Sequence, residues 1–425
     1  MTASPGARQF TASTPDSMSR WNRTTMPLVP EPHARYPLVV DRDTRETRAD
    51  YDRPDGPSGK DLLEAIEAAG LRGRGGAAFP AAVKLRTVAG RTGPRTVVAN
   101  GDEGEPLAVK DRYLLRIRPH LVLDGLLRAA RIVSADRAVV YLSDAIAADS
   151  VHKALAELGP TRVPVEVVRV ARGYVGGEES AVVRAINGGP ALPADKPPRP
   201  FESGVDGGPT LVANVETLAR IPGIAAGGGS GSVLLTLSGS VPRQGLYELP
   251  EGSTLRELAG ERARGLLMGG FFAGLLGPRG LDIPLGFDAL RAEGSGLGCG
   301  AVFVLGPDDC PVAVAADVLA YFDRENARQC GPCIRGTTAM AGALRELADG
   351  IAGEAKLEKL RGWSESLRGR GACGTLDGAC NAVTTLFREF PALVEQHRAT
   401  PCPRCAALGP AERRAPAIDP PEEET

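Results

Sequence analysis

The sequence predicts an α/β fold for the first half of the chain and a helical, cysteine-bearing region for its last quarter, on three observations. Short β-branched or apolar runs at residues 96–99 (TVVA), 138–142 and 163–170 alternate with helical patterns at 121–133 and 150–158. That order builds a parallel or mixed sheet covered by helices. Residues 315–345 carry helical patterning, and six of the eight cysteines fall between Cys330 and Cys405. Glycine-rich or acidic turns follow the strands, where open α/β sheets place ligand groups.

At 425 residues with 43% hydrophobic content, the chain can fill two or three cores. A net charge of −2 provides no field for nucleic acid. The longest apolar runs, such as 266–276, are too short and glycine-broken to cross a bilayer, and residues 1–30 lack a signal-peptide core. A cytoplasmic placement, free or peripheral to a membrane complex, is expected. The cysteines then read as thiolate ligands rather than a secreted disulfide framework.

Residues 1–57 are rich in Pro, Thr and Ser without a sustained apolar period and are expected to be mobile or draped on the surface. A helix begins at Ser58, which can cap it, and its stripe of Leu62, Leu63, Ile66 and Ala69 stops at Gly70. The loop that follows, GLRGRGGAAFPAAVK (70–84), holds four glycines with Arg72, Arg74 and Lys84. Uncovered backbone N–H groups beside fixed positive charge suit a phosphate, although the spacing is neither a dinucleotide fingerprint nor a P-loop; an ordinary surface loop is the other reading. Next comes NGDEGEPLAVKDR (100–112), in which Asp102, Glu103 and Glu105 repel one another unless a cation or donors intervene. In ARGYVGGEESAVV (171–183), Glu178 and Glu179 open a helix, where capping alone would explain them. ADKPPRP (194–200) presents Lys196 on a stiff segment, and TLVANVETLARIP (210–222) sets Asn214 and Glu216 at a strand-to-helix junction.

Taken in order and spacing, GLRGRGGAAFP, NGDEGEP with KDR, GYVGGEES, DKPPRP and ANVETL closely resemble the flavoprotein subunit of respiratory complex I and its relatives in NAD-linked hydrogenases and formate dehydrogenases. The resemblance runs from about residue 58 to 390. It implies an α/β FMN-binding domain with a mixed sheet, then a small ubiquitin-like β-grasp domain of the SLBB type, then a helical bundle carrying a [4Fe–4S] cluster. On this reading residues 58–225 form the FMN and NAD(P)H domain, 226–290 the β-grasp unit, 291–314 a connector, 315–398 the iron–sulfur region and 399–425 a tail. Two strands at 233–239 and 245–250 and a short capped helix from Ser253 suit the β-grasp unit.

The resemblance further implies that Gly73, Arg74, Gly75, Gly76 and Lys84 wrap the FMN. Asn100, Asp102 and Glu103 would hydrogen-bond its ribityl chain and ring edges, and Tyr174, Gly177, Glu178 and Asn214 would complete the pocket. Glu105, Glu179 and Lys196 match positions on the NADH side, and Phe79 an aromatic that packs on the dinucleotide. Relatives carry a second phenylalanine where Thr87 stands, another where Arg199 stands, a glycine at Ala78 and an asparagine at Ala213. Aromatic stacking on a base contributes roughly 1–3 kcal/mol; Arg199 offers a guanidinium for stacking or for the additional phosphate of NADPH.

Cys330 and Cys333 form a C-x-x-C, and Cys373 matches the distant fourth ligand of the resembling family, whose first cysteine falls on Ala327. These three thiolates are candidates for the cluster. A zinc site joining Cys330–Cys333 to the second C-x-x-C, Cys402–Cys405, is the other arrangement, and free thiols a third. Cys380 lies seven residues past Cys373, roughly 10 Å along an ideal helix, and serves only if Gly374 and Gly378 break that helix. Cys299 reads as core and Cys310 has no assigned role. The function implied is hydride transfer from NAD(P)H to FMN, followed by single-electron delivery to an iron–sulfur centre or partner protein. Alternatives are a non-catalytic docking paralogue and a flavin carrier reduced by a partner.

Overall fold

The computed structural model describes residues 36–40 and 44–407. Helix α1 (Gly59–Ala68) buries Leu62, Leu63 and Ile66 as its stripe requires, but the Ser58 side chain makes no capping bond. Helix α2 (Ala81–Ala89) follows the glycine loop. Strand β1 (Thr96–Asn100) leads to α3 (Lys110–Ile117) and α4 (Pro119–Val133), then β2 (Arg137–Leu142), α5 (Ala145–Leu158) and β3 (Val165–Arg169). Helix α6 (Glu179–Ile186), β4 (Thr210–Asn214), α7 (Val215–Ala219) and α8 (Ile221–Ala225) complete the first unit.

Its sheet has the order β3-β2-β1-β4 with every pairing parallel. The chain moves outward from β1 through β2 to β3, then returns to place β4 on the other side of β1. The crevice beyond the carboxyl ends of β1 and β4 is therefore a topological switch point, where such sheets bind ligands. Asn100 and Asn214 are register partners at that edge. Gly125 on α4 lets the α7 backbone approach closely, since a Cβ there would sit 2.0 Å from the Leu218 carbonyl oxygen.

The second unit is a five-stranded mixed sheet. Strands β5 (Ser232–Gly239) and β6 (Gly245–Pro250) pair antiparallel; after α9 (Arg256–Ala259), β7 (Gly265–Met268) and β8 (Leu275–Leu276) form the opposite edge, followed by α10 (Phe287–Ala292). Strand β9 (Ala301–Leu305) fills the centre, parallel to β5 and antiparallel to β7. The expected connector 291–314 thus contains the central strand. Its near-continuous apolar sequence is that of a strand buried among neighbours.

A helical bundle follows: α11 (Pro311–Glu325), α12 (Gly331–Ala348), α13 (Glu354–Ser366), α14 (Thr375–Glu389), α15 (Pro391–His397) and the short α16 (Pro403–Ala407). The continuous pattern at 315–345 is split by a loop carrying Ala327, Arg328 and Gln329. Cys380 is buried within an unbroken α14, so the glycines around it do not free it to act with Cys373.

The described part of the N-terminal extension is fastened down. The Tyr51 hydroxyl bonds the Asp124 carboxylate at 2.8 Å, Glu46 pairs with Arg118 at 2.6 Å, and the Leu38 and Val39 amides donate to Glu248 on β6. The expectation of a mobile or loosely draped segment fails for residues 36–40 and 44–57, because these buried polar groups find partners on two units; the rest of that segment lies outside the described residues.

Candidate functional site

The glycine loop is a narrow turn closed by a bridge between Arg72 and Pro80, with the Gly73 amide donating to the Phe79 carbonyl at 2.8 Å. Gly75 passes Asn214 so closely that a Cβ would meet the asparagine Cβ at 3.3 Å. Ala78 adopts φ +53°, a left-handed conformation that explains glycine in the resembling sequences and costs an alanine roughly 1–2 kcal/mol. Its methyl group joins the apolar core of the second unit. Arg72 forms two 2.8 Å bonds with Asp288 on α10. Arg74 is turned inward over the Phe287 ring, 5.1 Å from its centroid, and donates to the Ser230 carbonyl, while its Nε and Nη1 have no hydrogen-bond partner among the described residues. Burial pushes its pKa down to about 10.

The acidic turn after β1 lies across the switch point. Asn100 accepts from the Asp102 amide and donates to the Gly177 carbonyl at 2.8 Å, joining the turn to the GYVGGEE segment. Gly177 is needed there, since a Cβ would stand 2.8 Å from the Asp102 carbonyl oxygen. Neither Asp102 carboxylate oxygen completes a hydrogen bond of acceptable geometry among the described residues, although both are buried. Burial pushes this carboxyl up to about 6, with Ser143 and Arg172 offsetting part of the shift.

Glu103 is engaged differently. Its oxygens accept from the Asp111 and Arg112 amides at the start of α3 and from Arg112 Nε at 3.1 Å, so it caps that helix. Glu105 accepts backbone bonds from Leu107 and from Phe271 of the second unit, at 3.4 and 3.1 Å. Burial lifts its carboxyl from the usual 4.5 to about 7.

Beneath the turn the KDR and ANVETL stretches meet in a buried network that neither reveals by itself. Lys110 Nζ, 1% exposed, reaches Asp111 at 2.6 Å, Glu216 at 3.1 Å and Asn214 Oδ1 at 3.2 Å. Asn214 Nδ2 donates to Asp111 at 2.7 Å. Burial opposes the charge on Lys110, but Asp111 and Glu216 outweigh it and raise its pKa. Burial would also lift Glu216, yet Lys110, Arg220 and Arg74 hold it below the usual range. The Asp111 carboxyl is pushed up by burial to about 7 despite its lysine.

At the rim, Glu178 caps α6 through the Ser180 and Ala181 amides and pairs with Lys196, while Glu179 pairs with Lys84 at 2.7 Å. Phe79 is 53% exposed, unusual for a phenylalanine without a partner surface. Tyr174 turns from this segment toward the bundle, edge-on to Tyr321 and Phe322 at 5.6 and 5.4 Å. Burial raises its hydroxyl, and the Glu105 carboxylate and the Cys373 thiol both act on it. One phenol thus sits between the crevice and the cysteine loop.

Cys330, Cys333 and Cys373 line one pocket with Pro193, Gly371, Ala372 and Ala327. The Ala372 amide lies 3.4 Å from Cys330 Sγ, a donor of the kind that tunes cluster thiolates. Burial lifts the Cys333 thiol to about 12 in the absence of a counter-charge. Three thiols around a shared hollow fit three corners of an iron–sulfur cluster, and Ala327, which offers no ligand atom, lines the same hollow. Cys402 and Cys405 are not part of this pocket, which removes the zinc arrangement built on two C-x-x-C pairs. They are gathered instead with Cys310 and His397, a grouping hidden by sequence separation. Cys299 is part-buried beside the bundle core, as expected.

Residues 66–223 match the Nuo51 FMN-binding domain, and residues 313–397 the iron–sulfur binding region of NADH-ubiquinone oxidoreductase F. The F 2 subunit of NADH-quinone oxidoreductase in Rhizobium meliloti is 34% identical over 81% of this chain and 90% of its own. The HndC subunit of NADP-reducing hydrogenase in Solidesulfovibrio fructosivorans is 30% identical over 82% and 79%. Two crystal structures of NAD+-reducing [NiFe]-hydrogenase are also similar. The H2-reduced one has TM-score 0.73 and 33% identity, covering 79% of this chain and 62% of the other; the air-oxidised one has TM-score 0.75 and 31% identity, covering 91% and 72%.

Fold and site together define a flavoprotein-type oxidoreductase subunit with a nucleotide crevice and a cysteine-lined pocket. The chain belongs to the family of F-type subunits of NADH-quinone oxidoreductase and related hydrogenase subunits, whose members act within multi-subunit complexes. No helix among the described residues is long and apolar enough to cross a membrane.

The raised Glu105 carboxyl has a measurable consequence. Its folded pKa exceeds its unfolded value, so its contribution to stability is fully present below about pH 4.5 and is lost as pH rises through about 7. Glu105→Gln keeps an acceptor for the Phe271 amide and removes that loss. Denaturant unfolding should therefore find the variant more stable than the parent by on the order of 2 kcal/mol above pH 7, after discounting for residual solvent contact, with no advantage in acid. A difference constant with pH contradicts this.

Proposed function

We propose that this chain binds FMN in the switch-point crevice, accepts reducing equivalents there from NADH or NADPH, and delivers single electrons through the cysteine-lined pocket to a partner subunit. The observation carrying the proposal is the acidic turn at the open end of a parallel sheet, with Asp102 buried there and Glu105 sharing Tyr174 with Cys373. FMN takes electrons as a hydride pair and returns them singly.

Asp102 supplies acceptors for ribityl hydroxyls, with Asn100 holding its loop and Asn214 fixing the opposite edge. Gly75 and Gly76 bring backbone N–H groups near the phosphate, Gly73 closes the turn through its bond to Phe79, and Gly177 keeps the Asp102 loop close. Arg74 reinforces the junction with the second unit and keeps a positive charge beneath the loop, its Nε 3.9 Å from Glu216. Glu103 acts through the α3 cap it makes. Phe79 offers its exposed ring to the dinucleotide, beside Lys84–Glu179 and Lys196–Glu178, which compensate rim charges. Exposed Arg199 supplies a cation for a ribose phosphate. Glu105 is able to carry a proton near neutral pH at the crevice edge. Cys330, Cys333 and Cys373 hold three corners of a [4Fe–4S] cluster.

The second sheet supports a β-grasp assignment of the SLBB type, because β6-β5-β9-β7-β8 with parallel β5 and β9 is a β-grasp order. The domain division follows as 58–225, a second unit extended to about 305, and a bundle from 311.

Anaerobic reconstitution with FMN followed by rapid mixing with NADH or NADPH tests the function. Bleaching of the flavin absorbance by at least one nicotinamide is expected. Bound flavin that remains oxidised with both favours a partner-reduced carrier, and failure to bind flavin favours a docking paralogue.

A further inference from the structure

Cys310, His397, Cys402 and Cys405 are all buried, and one ligand atom from each lies within 4.8 Å of every other. Cys310 immediately precedes α11, His397 ends α15, and the two remaining cysteines flank the start of α16. His397 Nε2 is 3.4 Å from the sulfurs of both Cys310 and Cys405, and Cys402 Sγ is 3.6 Å from Cys405 Sγ. None of the eight cysteines forms a disulfide.

Three thiols and an imidazole packed together without an ion would leave weak donors facing one another in an apolar core. Around an ion the same spacing is natural. A tetrahedron with metal–sulfur bonds of about 2.3 Å has edges of roughly 3.8 Å, near the separations found. An iron–sulfur cluster would instead hold its thiolates apart by its own width.

The imidazole supplies a second, independent indication. His397 Nδ1 is 2.7 Å from the Leu393 carbonyl oxygen, so it carries the proton and leaves the Nε2 lone pair directed into the group. A ligating histidine is characteristically fixed by a hydrogen bond of this kind from its other nitrogen.

We propose that Cys310, His397, Cys402 and Cys405 form a structural zinc site, separate from the cysteine pocket described above. Three sulfurs and one nitrogen in a tetrahedral group select zinc, and four protein ligands leave no position for substrate. Three of the four ligands fall outside the segment matched by the iron–sulfur region, residues 313–397. The site fastens the segment after His397 across the bundle to the junction between β9 and α11. Gly350 assists by admitting Pro401, whose nitrogen would be 2.3 Å from any Cβ on that glycine.

Metal analysis of the full chain, prepared under reducing conditions with zinc supplied, should find about one zinc ion per chain. Cys330→Ser should lower iron and leave zinc unchanged, whereas His397→Ala and Cys405→Ser should lose zinc. Zinc retained at parental levels in both of these variants, or lost in Cys330→Ser, overturns the assignment. Cobalt substitution of the parent chain avoids dependence on how variants fold: an intense thiolate-to-cobalt charge-transfer band with tetrahedral ligand-field bands is expected. Its absence, or a Cys402–Cys405 disulfide in zinc-replete protein, also overturns the proposal. None of these readouts requires bound flavin, so they stand or fall apart from the redox function.

Discussion

Replacing Lys110 with methionine is expected to remove about 3–5 kcal/mol of folding stability near neutral pH, because the change strands a buried carboxylate instead of replacing a whole network by apolar groups. Glu216 would retain Arg220 at 2.7 Å, but the Asp111 carboxylate would keep only the Asn214 amide at 2.7 Å. The Asp111 carboxyl, already pushed up to about 7 by burial, would rise further. Its folded pKa would then stand far above its unfolded value, so the penalty should shrink as pH falls toward the unfolded carboxyl range and the carboxyl becomes protonated. Urea unfolding at neutral and acidic pH, with Asp111→Asn and the double variant, measures this. A double variant more stable than Lys110→Met is expected; a single variant within about 1 kcal/mol of the parent at neutral pH contradicts the network's role. Asn214 links this network to the crevice, so weaker FMN binding should accompany the loss of stability.

The second large effect concerns the cysteine pocket. Cys373→Ser is expected to abolish nearly all labile sulfide and pocket-bound iron, since two thiolates on one helix terminus cannot enclose a cluster. Ala327→Cys should do the reverse. Ala327 lines the same hollow as Cys330, Cys333 and Cys373, on the loop between α11 and α12, where a thiol would supply the missing corner. Iron and sulfide assays of anaerobically reconstituted protein should show higher cluster occupancy and slower loss in air for Ala327→Cys than for the parent. Equal occupancy and equal air sensitivity would mean that the parent already has a fourth ligand from elsewhere. Zinc content should remain unchanged in both variants.

The parts legible in the sequence are those encoded locally. Gly70 to Lys84, the acidic turn at Asp102 and the Gly177–Glu178 helix start announce themselves through glycine, charge and strand ends, and the structure brings all three to one crevice. Lys110 and Glu216 fall inside the KDR and ANVETL stretches, but their pairing escapes local reading: lysine and glutamate ordinarily lie at the surface, and only the tertiary fold makes a Lys-Asp pair at a helix start into a buried charge network. Strand β9 is recognisable as a strand but falls in an expected connector, since its parallel pairing with β5 spans more than sixty residues. The tail cysteines are matched to the wrong partners for a related reason. A C-x-x-C suggests another C-x-x-C, whereas Cys310 and His397 lie 87 residues apart without a shared local signal.

The contacts of Arg72 with Asp288, Arg74 with Phe287 and Glu105 with the Phe271 amide tie the crevice to the second sheet. The division proposed near residue 225 is therefore crossed by ion-pair, ring and hydrogen-bond contacts. A fragment ending there would lose the apolar cover of Arg74, the donor holding Glu105 and the Glu248 anchor of the N-terminal segment together. The side chains that shape the crevice are thus the ones that dock the second sheet, so a change in that docking alters the crevice.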